Sequence, residues 1–232
     1  MAAAAILNSL LAALPRKSYL RLAPGLIPVD LVFGDVLYEA GDPIRDVYFP
    51  SRSLVSLLTL VEGHLALEVG MVGREGMVGI PLALGADVSP VRALVQGGGP
   101  ALKMSAARFR TELKRSPPLQ RELNRYVHTM IAQISQTAGC NRFHVVEARL
   151  ARWLLMTRDR ARSGQFRMTH EFLSHMLGVR RVGVTEAASA LQRQKLIEYS
   201  RGNIRILDDR GLEAACCSCY QVVKDMHDPA TA

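Results

Sequence analysis

Residues 168–206 constrain the fold most tightly. Their apolar positions pass from one helical stripe to a second across a single glycine, then into strand alternation. Phe172, Leu173, Met176 and Leu177 recur at helical spacing, and Thr169 precedes them as an N-cap whose hydroxyl accepts from an orphan backbone N–H. Gly178 breaks the pattern where a tight turn needs a residue without a side chain. Val184, Ala187, Ala188 and Leu191 supply the stripe of a second helix. Two helices joined by a short Gly-containing turn form a helix-turn-helix. The outer face of the second helix carries Arg180, Arg181, Thr185 and Glu186, side chains able to address base edges and phosphates in a major groove. Ile197, Tyr199, Ile204 and Ile206 alternate around Arg201-Gly202-Asn203, which predicts two short strands and a tight turn. The trailing hairpin makes the motif a winged helix, with Arg201 and Arg205 offered to a nucleic-acid backbone.

Helical hairpins are common, and charge distinguishes this one. Residues 142–205 hold 13 Lys+Arg against 5 Asp+Glu, a net of +8 that equals the formal charge of the whole chain. Basic charge concentrated on one motif is the footprint expected for phosphate neutralisation.

The chain has 232 residues, enough for one large or two small domains with a proper core. Its four cysteines, Cys140, Cys216, Cys217 and Cys219, are too few and too clustered for a disulfide scaffold, so a cytoplasmic location is expected. Residues 1–14 are apolar but lack a basic leader and are interrupted by Asn8-Ser9, which favours an amphipathic first helix stopped by Pro15 over an export signal. No stretch approaches the roughly 20 apolar residues that a membrane helix needs.

From Leu31 to Leu102, glycines punctuate short apolar runs: Val36-Leu37-Tyr38, Val47-Tyr48-Phe49, Leu54-Val55-Ser56-Leu57-Leu58 and Leu65-Ala66-Leu67-Glu68-Val69. Short strands with regular turn signals predict a β-roll. Gly97-Gly98-Gly99-Pro100 reads as a loop before a closing strand at 101–104, and Ser105 caps a helix through Lys114. Pro117-Pro118 opens a longer helix in which Leu119, Leu123, Tyr126/Val127, Met130, Ile134 and Thr137/Ala138 repeat at spacings of three and four. So long a stripe needs a partner, either its own domain or a second copy, and a parallel homodimer seam is expected. Asn141-Arg142-Phe143-His144 reads as a hinge, followed by a helix with Leu150, Trp153 and Leu154 inward. The fold class is therefore α+β.

This ordered arrangement resembles the Crp/Fnr family of bacterial transcription regulators over roughly residues 14–212. The most specific segments are Phe33-Gly34-Asp35-Val36-Leu37-Tyr38-Glu39-Ala40-Gly41-Asp42, Gly73-Arg74-Glu75-Gly76-Met77-Val78-Gly79, and Leu177-Gly178-Val179 within the helix-turn-helix. The resemblance implies a cyclic-nucleotide-binding-like sensor roll at 14–115, a dimerisation helix at 116–141 and a winged helix-turn-helix at 142–212. It also implies a homodimer that binds double-stranded DNA and relays a signal from the roll, with RNA polymerase and a small-molecule effector as further candidate partners.

Carried over by position, the resemblance puts Thr169, His170 and Glu171 near phosphates, and Arg180, Arg181, Val182, Thr185, Glu186 and Ser189 on the reading face, with Arg201 in the wing. The family's best-known pattern has Glu at the position of Val182 and Arg at the position of Glu186. A two-fold operator with half-sites about one helical turn apart is expected, with a different half-site sequence. The implied effector pocket would involve Gly79, Ile80, Arg92, Ala93 and Ser135. Ile80-Pro81 replaces the phosphate-turn Glu of nucleotide binders, and Ala93 stands where a hydroxyl would help, so cyclic AMP is disfavoured. The chain has no cysteine before Cys140, which argues against the family's N-terminal iron–sulfur cluster, and His64 alone is poor evidence for haem. Cys216, Cys217 and Cys219, expected on a helix, are open to three readings: metal ligation with His227 or a second subunit, a redox switch, or small apolar packing. No metal site is assigned from sequence.

Two rival classes remain. No phosphate loop, H-E-x-x-H or G-x-S-x-G motif supports an enzyme. A ligand- or redox-sensing module without DNA function would leave the basic winged helix without a role, and salt-dependent duplex binding separates it from a regulator.

Overall fold

The computed structural model describes residues 8–61 and 66–226. The chain divides into two compact units, residues 1–57 with 71–131, and residues 58–70 with 132–232.

The first unit opens with α1 (Ser9–Ala12) and α2 (Arg16–Leu22). Residues 1–7 of the expected first helix lie outside the described residues, and Asn8 is the N-cap of α1. Its Oδ1 accepts from Leu11 N at 3.1 Å, and its Nδ2 donates to the carbonyls of Pro50 and Gly76. Strands β1 (Ile27–Leu31), β2 (Val36–Tyr38), β3 (Asp46–Pro50), β4 (Leu54–Thr59), β5 (Leu67–Val72), β6 (Arg92–Gly97) and β7 (Gly99–Ser105) follow in two sheets, ordered β1-β7-β3 and β2-β6-β4-β5. β7 pairs antiparallel with both β1 and β3, with Val29 opposite Ala101 and Phe49 opposite Leu102. The expected Gly-rich loop shrinks to Gly98, because β6 runs to Gly97 and β7 starts at Gly99. Gly34 and Gly41 fall at turns, where their N–H groups reach the carbonyls of Val95 and Ser89. Val47, Phe49, Leu54, Val55, Met71, Val95 and Met104 form the buried interior, joined by Phe109 of α3 (Ala106–Arg115). Ser105 caps α3 as expected.

Helix α4 runs from Pro117 to Phe143. The expected seam divides by face. Leu119, Leu123, Tyr126, Met130 and Thr137 are buried within the chain, whereas Ile131 is 59% and Ile134 37% exposed, with Ala138 also open. The helix continues through Asn141 and Arg142, so the break falls later than expected, at His144-Val145.

In the second unit α5 (Val146–Ala161) is central, with Leu150, Ala151, Trp153, Leu154 and Leu155 buried. It packs against α6 (His170–Leu177), α7 (Arg181–Arg193), α8 (Asp209–Ala215) and α9 (Cys219–Met226). The wing comprises β8 (Gln165–Arg167), β9 (Ile197–Ser200) and β10 (Asn203–Ile206) in the order β8-β10-β9, one strand more than the sequence suggested. No helix among the described residues is long and apolar enough to cross a membrane.

Candidate nucleic-acid interface

Local chemistry fixes the helix-turn-helix. Thr169 Oγ1 accepts from Phe172 N at 3.1 Å, starting α6 with a neutralised donor. Gly178 ends α6 at φ +60°, a left-handed cap in which a side chain would be strained. Its N–H and that of Val179 return to the carbonyls of His175 and Ser174. Arg180 then stands at the N-cap of α7. Val184, Ala187, Ala188 and Leu191 bury one face of α7, a stripe at three- and four-residue spacing that orients the helix. The opposite face exposes Arg181, Val182, Thr185, Glu186 and Ser189 together, with Val182 at 60% exposure.

His170, which the resemblance puts near phosphate, is partly buried. Its ring stacks on Tyr199 at 4.3 Å between centroids, and Nδ1 lies 2.9 Å from Thr185 Oγ1. Burial, and then the charge of Arg181, pull its pKa below the ordinary histidine value. His170 therefore links α6, α7 and the wing. Tyr199, not singled out as a site residue in the sequence, completes this joint by donating from its hydroxyl to the Met168 carbonyl at 3.3 Å.

The wing turns at Arg201-Gly202, both with positive φ, between the paired residues Ser200 and Asn203. That is the geometry of a two-residue hairpin whose twist suits antiparallel strands. Arg201 is exposed at the tip. Arg205 is less available than expected, because Nε and Nη2 both bond Glu198 Oε2, at 2.9 and 2.6 Å. Arg167, on the added strand, is exposed beside them.

The net charge of the segment overstates the cationic surface. Arg149, Arg152 and Arg160 are buried. Arg158 is absorbed by Asp159, Asp209 and Glu213 together with the Tyr220 hydroxyl. The reading helix, the wing and their approaches still expose Arg180, Arg181, Arg193, Lys195, Arg167 and Arg201.

Of the residues of the implied effector pocket, Gly79, Ile80, Arg92 and Ala93 lie in the first unit and Ser135 in the second. Gly79 caps a short 3-10 turn at Ile80–Leu84 and abuts Val47. Arg92 donates to Glu39 Oε2 at 2.6 Å, so an anion would have to displace a carboxylate. Ala93 is fully buried. Ser135 is exposed on α4 in the second unit. His64 and His227 lie outside the described residues.

The C-terminal cysteines are not on one helix. α8 ends at Ala215 and α9 begins at Cys219, leaving Cys216 and Cys217 in the link between them. Cys140 Sγ lies 3.5 Å from Cys217 Sγ. The hydrogen bond between them draws the Cys217 thiol below its ordinary range, with Cys219 and Arg152 adding to the effect against burial. Burial instead pushes Cys216 up to about 11.

These features define the class: a winged helix-turn-helix with an exposed, cation-flanked reading helix, preceded in the chain by a β-roll and a long helix. Residues 148–215 match the model of the Crp-like helix-turn-helix domain. The chain has the Crp/Fnr fold. It is similar to FixK2 from Bradyrhizobium japonicum, at 14% identity and a TM-score of 0.70 over 83% of this chain and 98% of that one. A Crp/Fnr-family transcriptional regulator of Thermus thermophilus is 21% identical, with a TM-score of 0.67 over 82% and 97%. The c-di-GMP-responsive global regulator CLP of Xanthomonas campestris is 16% identical, with a TM-score of 0.68 over 84% and 100%. No curated protein sequence matches the chain.

Proposed function

We propose that the chain is a sequence-specific transcription regulator that acts on double-stranded DNA as a homodimer. The observation that carries this reading is the exposed face of α7, where Arg181, Val182, Thr185, Glu186 and Ser189 stand over a fully packed opposite face. A helix held in that way enters a major groove without reorganising its support. Arg181 is the candidate guanine reader, Glu186 accepts from a cytosine amine or orients the arginine, and Val182 suits the thymine methyl. Arg201 and Arg167 meet phosphates, with the backbone N–H groups at the start of α6 beside them.

The dimer uses the open face of α4. Ile131, Ile134 and Ala138 are exposed at helical spacing on a helix whose other face is already covered. A second copy of the same helix supplies the missing cover and spaces two α7 helices for a two-fold operator. The organisation is a sensor roll at 14–115, a dimer helix at 116–141 and a DNA-binding domain at 142–212, with the roll governing DNA affinity. The Arg92–Glu39 pair and the buried Ala93 oppose cyclic AMP as the governing signal.

Duplex affinity measured against salt tests the reading. A regulator loses affinity linearly in log salt as counterions are released. Binding that is absent in dilute buffer, for every duplex and every candidate effector tried, contradicts it.

A further inference from the structure

The four residues Cys140, His144, Cys217 and Cys219 have no part in the proposed DNA-reading face. Cys140 and His144 are one helical turn apart where α4 ends, and Cys217 and Cys219 flank the start of α9. Their ligand-capable atoms all lie within 4.8 Å of one another, and the three cysteines are buried. Cys140 Sγ to Cys217 Sγ is 3.5 Å, and Cys219 Sγ to His144 Nδ1 is 3.5 Å. Zinc–sulfur and zinc–nitrogen bonds of about 2.3 and 2.0–2.1 Å give a tetrahedron whose edges run about 3.5–3.8 Å. These two spacings are close to those edges, and the other four are at most 4.8 Å. They are too tight for an iron–sulfur cluster, which places bridging sulfides between its ligand thiolates.

Simple packing of small residues does not account for the surroundings. Arg149 and Arg152 are buried, at 6% and 5% exposure, and neither pairs with a carboxylate among the described residues. The Nε of each is buried without a hydrogen-bond partner. Two uncompensated buried guanidiniums are expensive beside neutral thiols. Three thiolates and a neutral imidazole around a divalent ion carry a net charge of −1, which offsets that cost. Gln136 Nε2 donates to Cys219 Sγ at 3.0 Å, an outer-shell donor to one of the candidate ligands.

We propose that Cys140, His144, Cys217 and Cys219 form a four-ligand tetrahedral site for one thiophilic divalent metal ion, with zinc the best fit. Binding releases the thiol protons to the buffer and leaves four metal–ligand bonds with no change of oxidation state. Cys216 is not a ligand; its Sγ points back to the carbonyls of Glu213 and Cys217. The ion clamps the end of α4, at the joint from which α5 departs, to the segment between α8 and α9. Resting on the regulator reading, occupancy of that joint is an input to DNA binding, but the site itself stands or falls independently of it.

The test is cobalt(II) titration of the full-length protein, reduced and stripped with a chelator, followed by zinc addition. Expected are one cobalt per chain, the intense visible bands of a tetrahedral ion, thiolate-to-metal charge transfer in the near ultraviolet, and displacement by zinc. Cys217→Ser and His144→Ala each weaken binding by more than the roughly 10–100-fold that loss of an outer-shell partner such as Gln136 brings. Cys216→Ser leaves the titration unchanged. The weak bands of an octahedral ion without thiolate absorption, no uptake at micromolar metal, or a Cys216→Ser variant as impaired as Cys217→Ser overturns the assignment. None of these readouts involves DNA, so failure of the metal site and failure of the regulator reading are separate results.

Discussion

Thr185 Oγ1 lies 2.9 Å from His170 Nδ1, joining the reading helix to the first residue of the helix before it. The same hydroxyl lies 3.1 Å from the Arg181 carbonyl. A hydroxyl has one hydrogen. If it goes to Arg181, the imidazole Nδ1–H donates to Thr185; if it goes to His170, Nδ1 is the acceptor. A neutral ring serves both arrangements. Protonation instead places charge in a half-buried ring beside the Arg181 guanidinium, which is why burial and then Arg181 depress the His170 pKa.

The consequence for stability has a definite sign. A histidine whose pKa is lower folded than unfolded stabilises the folded state above its unfolded value of about 6.5, and that contribution is lost as pH falls through the folded value. The thermal stability of the DNA-binding unit should therefore fall with acidification below about pH 6.5, and His170→Gln should flatten that slope. An identical acid slope in His170→Gln counts against the coupling.

Arg181→Ala should cost about 1–3 kcal/mol on the selected operator and relax discrimination at one base pair. Arg201→Ala, at the wing tip, should lower affinity for all sequences alike and reduce the salt slope by about 1. Competition binding with single-substitution operators distinguishes the two. Equal loss on every sequence for Arg181→Ala would make it a phosphate contact.

Ile131→Asp combined with Ile134→Asp should dissociate the homodimer. Each large apolar side chain buried at a seam contributes about 1.5–3 kcal/mol, so the pair shifts the dimer equilibrium by at least about a hundredfold. Sedimentation at micromolar concentration reads the result. A wild-type chain that sediments as a monomer, or a double variant that remains dimeric, removes α4 as the seam.

Gly76→Ala should destabilise the first unit by about 1–3 kcal/mol. A methyl group there is driven into the ring of Tyr126, which α4 packs against this turn. Calorimetry should show a lower Tm for Gly76→Ala, and a smaller cost for the same substitution in a Tyr126→Ala background. No change in the single variant contradicts this packing.

Much of the helix-turn-helix is legible in sequence because its determinants are local. Thr169, Gly178 and the stripe from Val184 to Leu191 act within a turn or two of themselves. Strand β8 is not, because three residues carry no periodicity and Phe166 becomes a strand residue only by pairing with Ile204. Charge counting misleads for a similar reason. Sequence cannot show that Arg149, Arg152 and Arg160 turn inward, or that Arg158 meets Asp209 and Glu213 from a later helix. Cys140 and Cys217 are 77 residues apart, and no spacing rule joins them. The three clustered C-terminal cysteines left metal ligation as one of three readings; the side chains that come together are Cys140, His144, Cys217 and Cys219, without Cys216.

Selection of bound duplexes from a random pool, with the full-length protein, tests the central claim most directly. Enrichment of an inverted repeat, with half-site centres about one helical turn apart and one base position that degenerates in Arg181→Ala, is the predicted result. A pool that stays random, or that yields a single unrepeated site bound by one chain, contradicts the account.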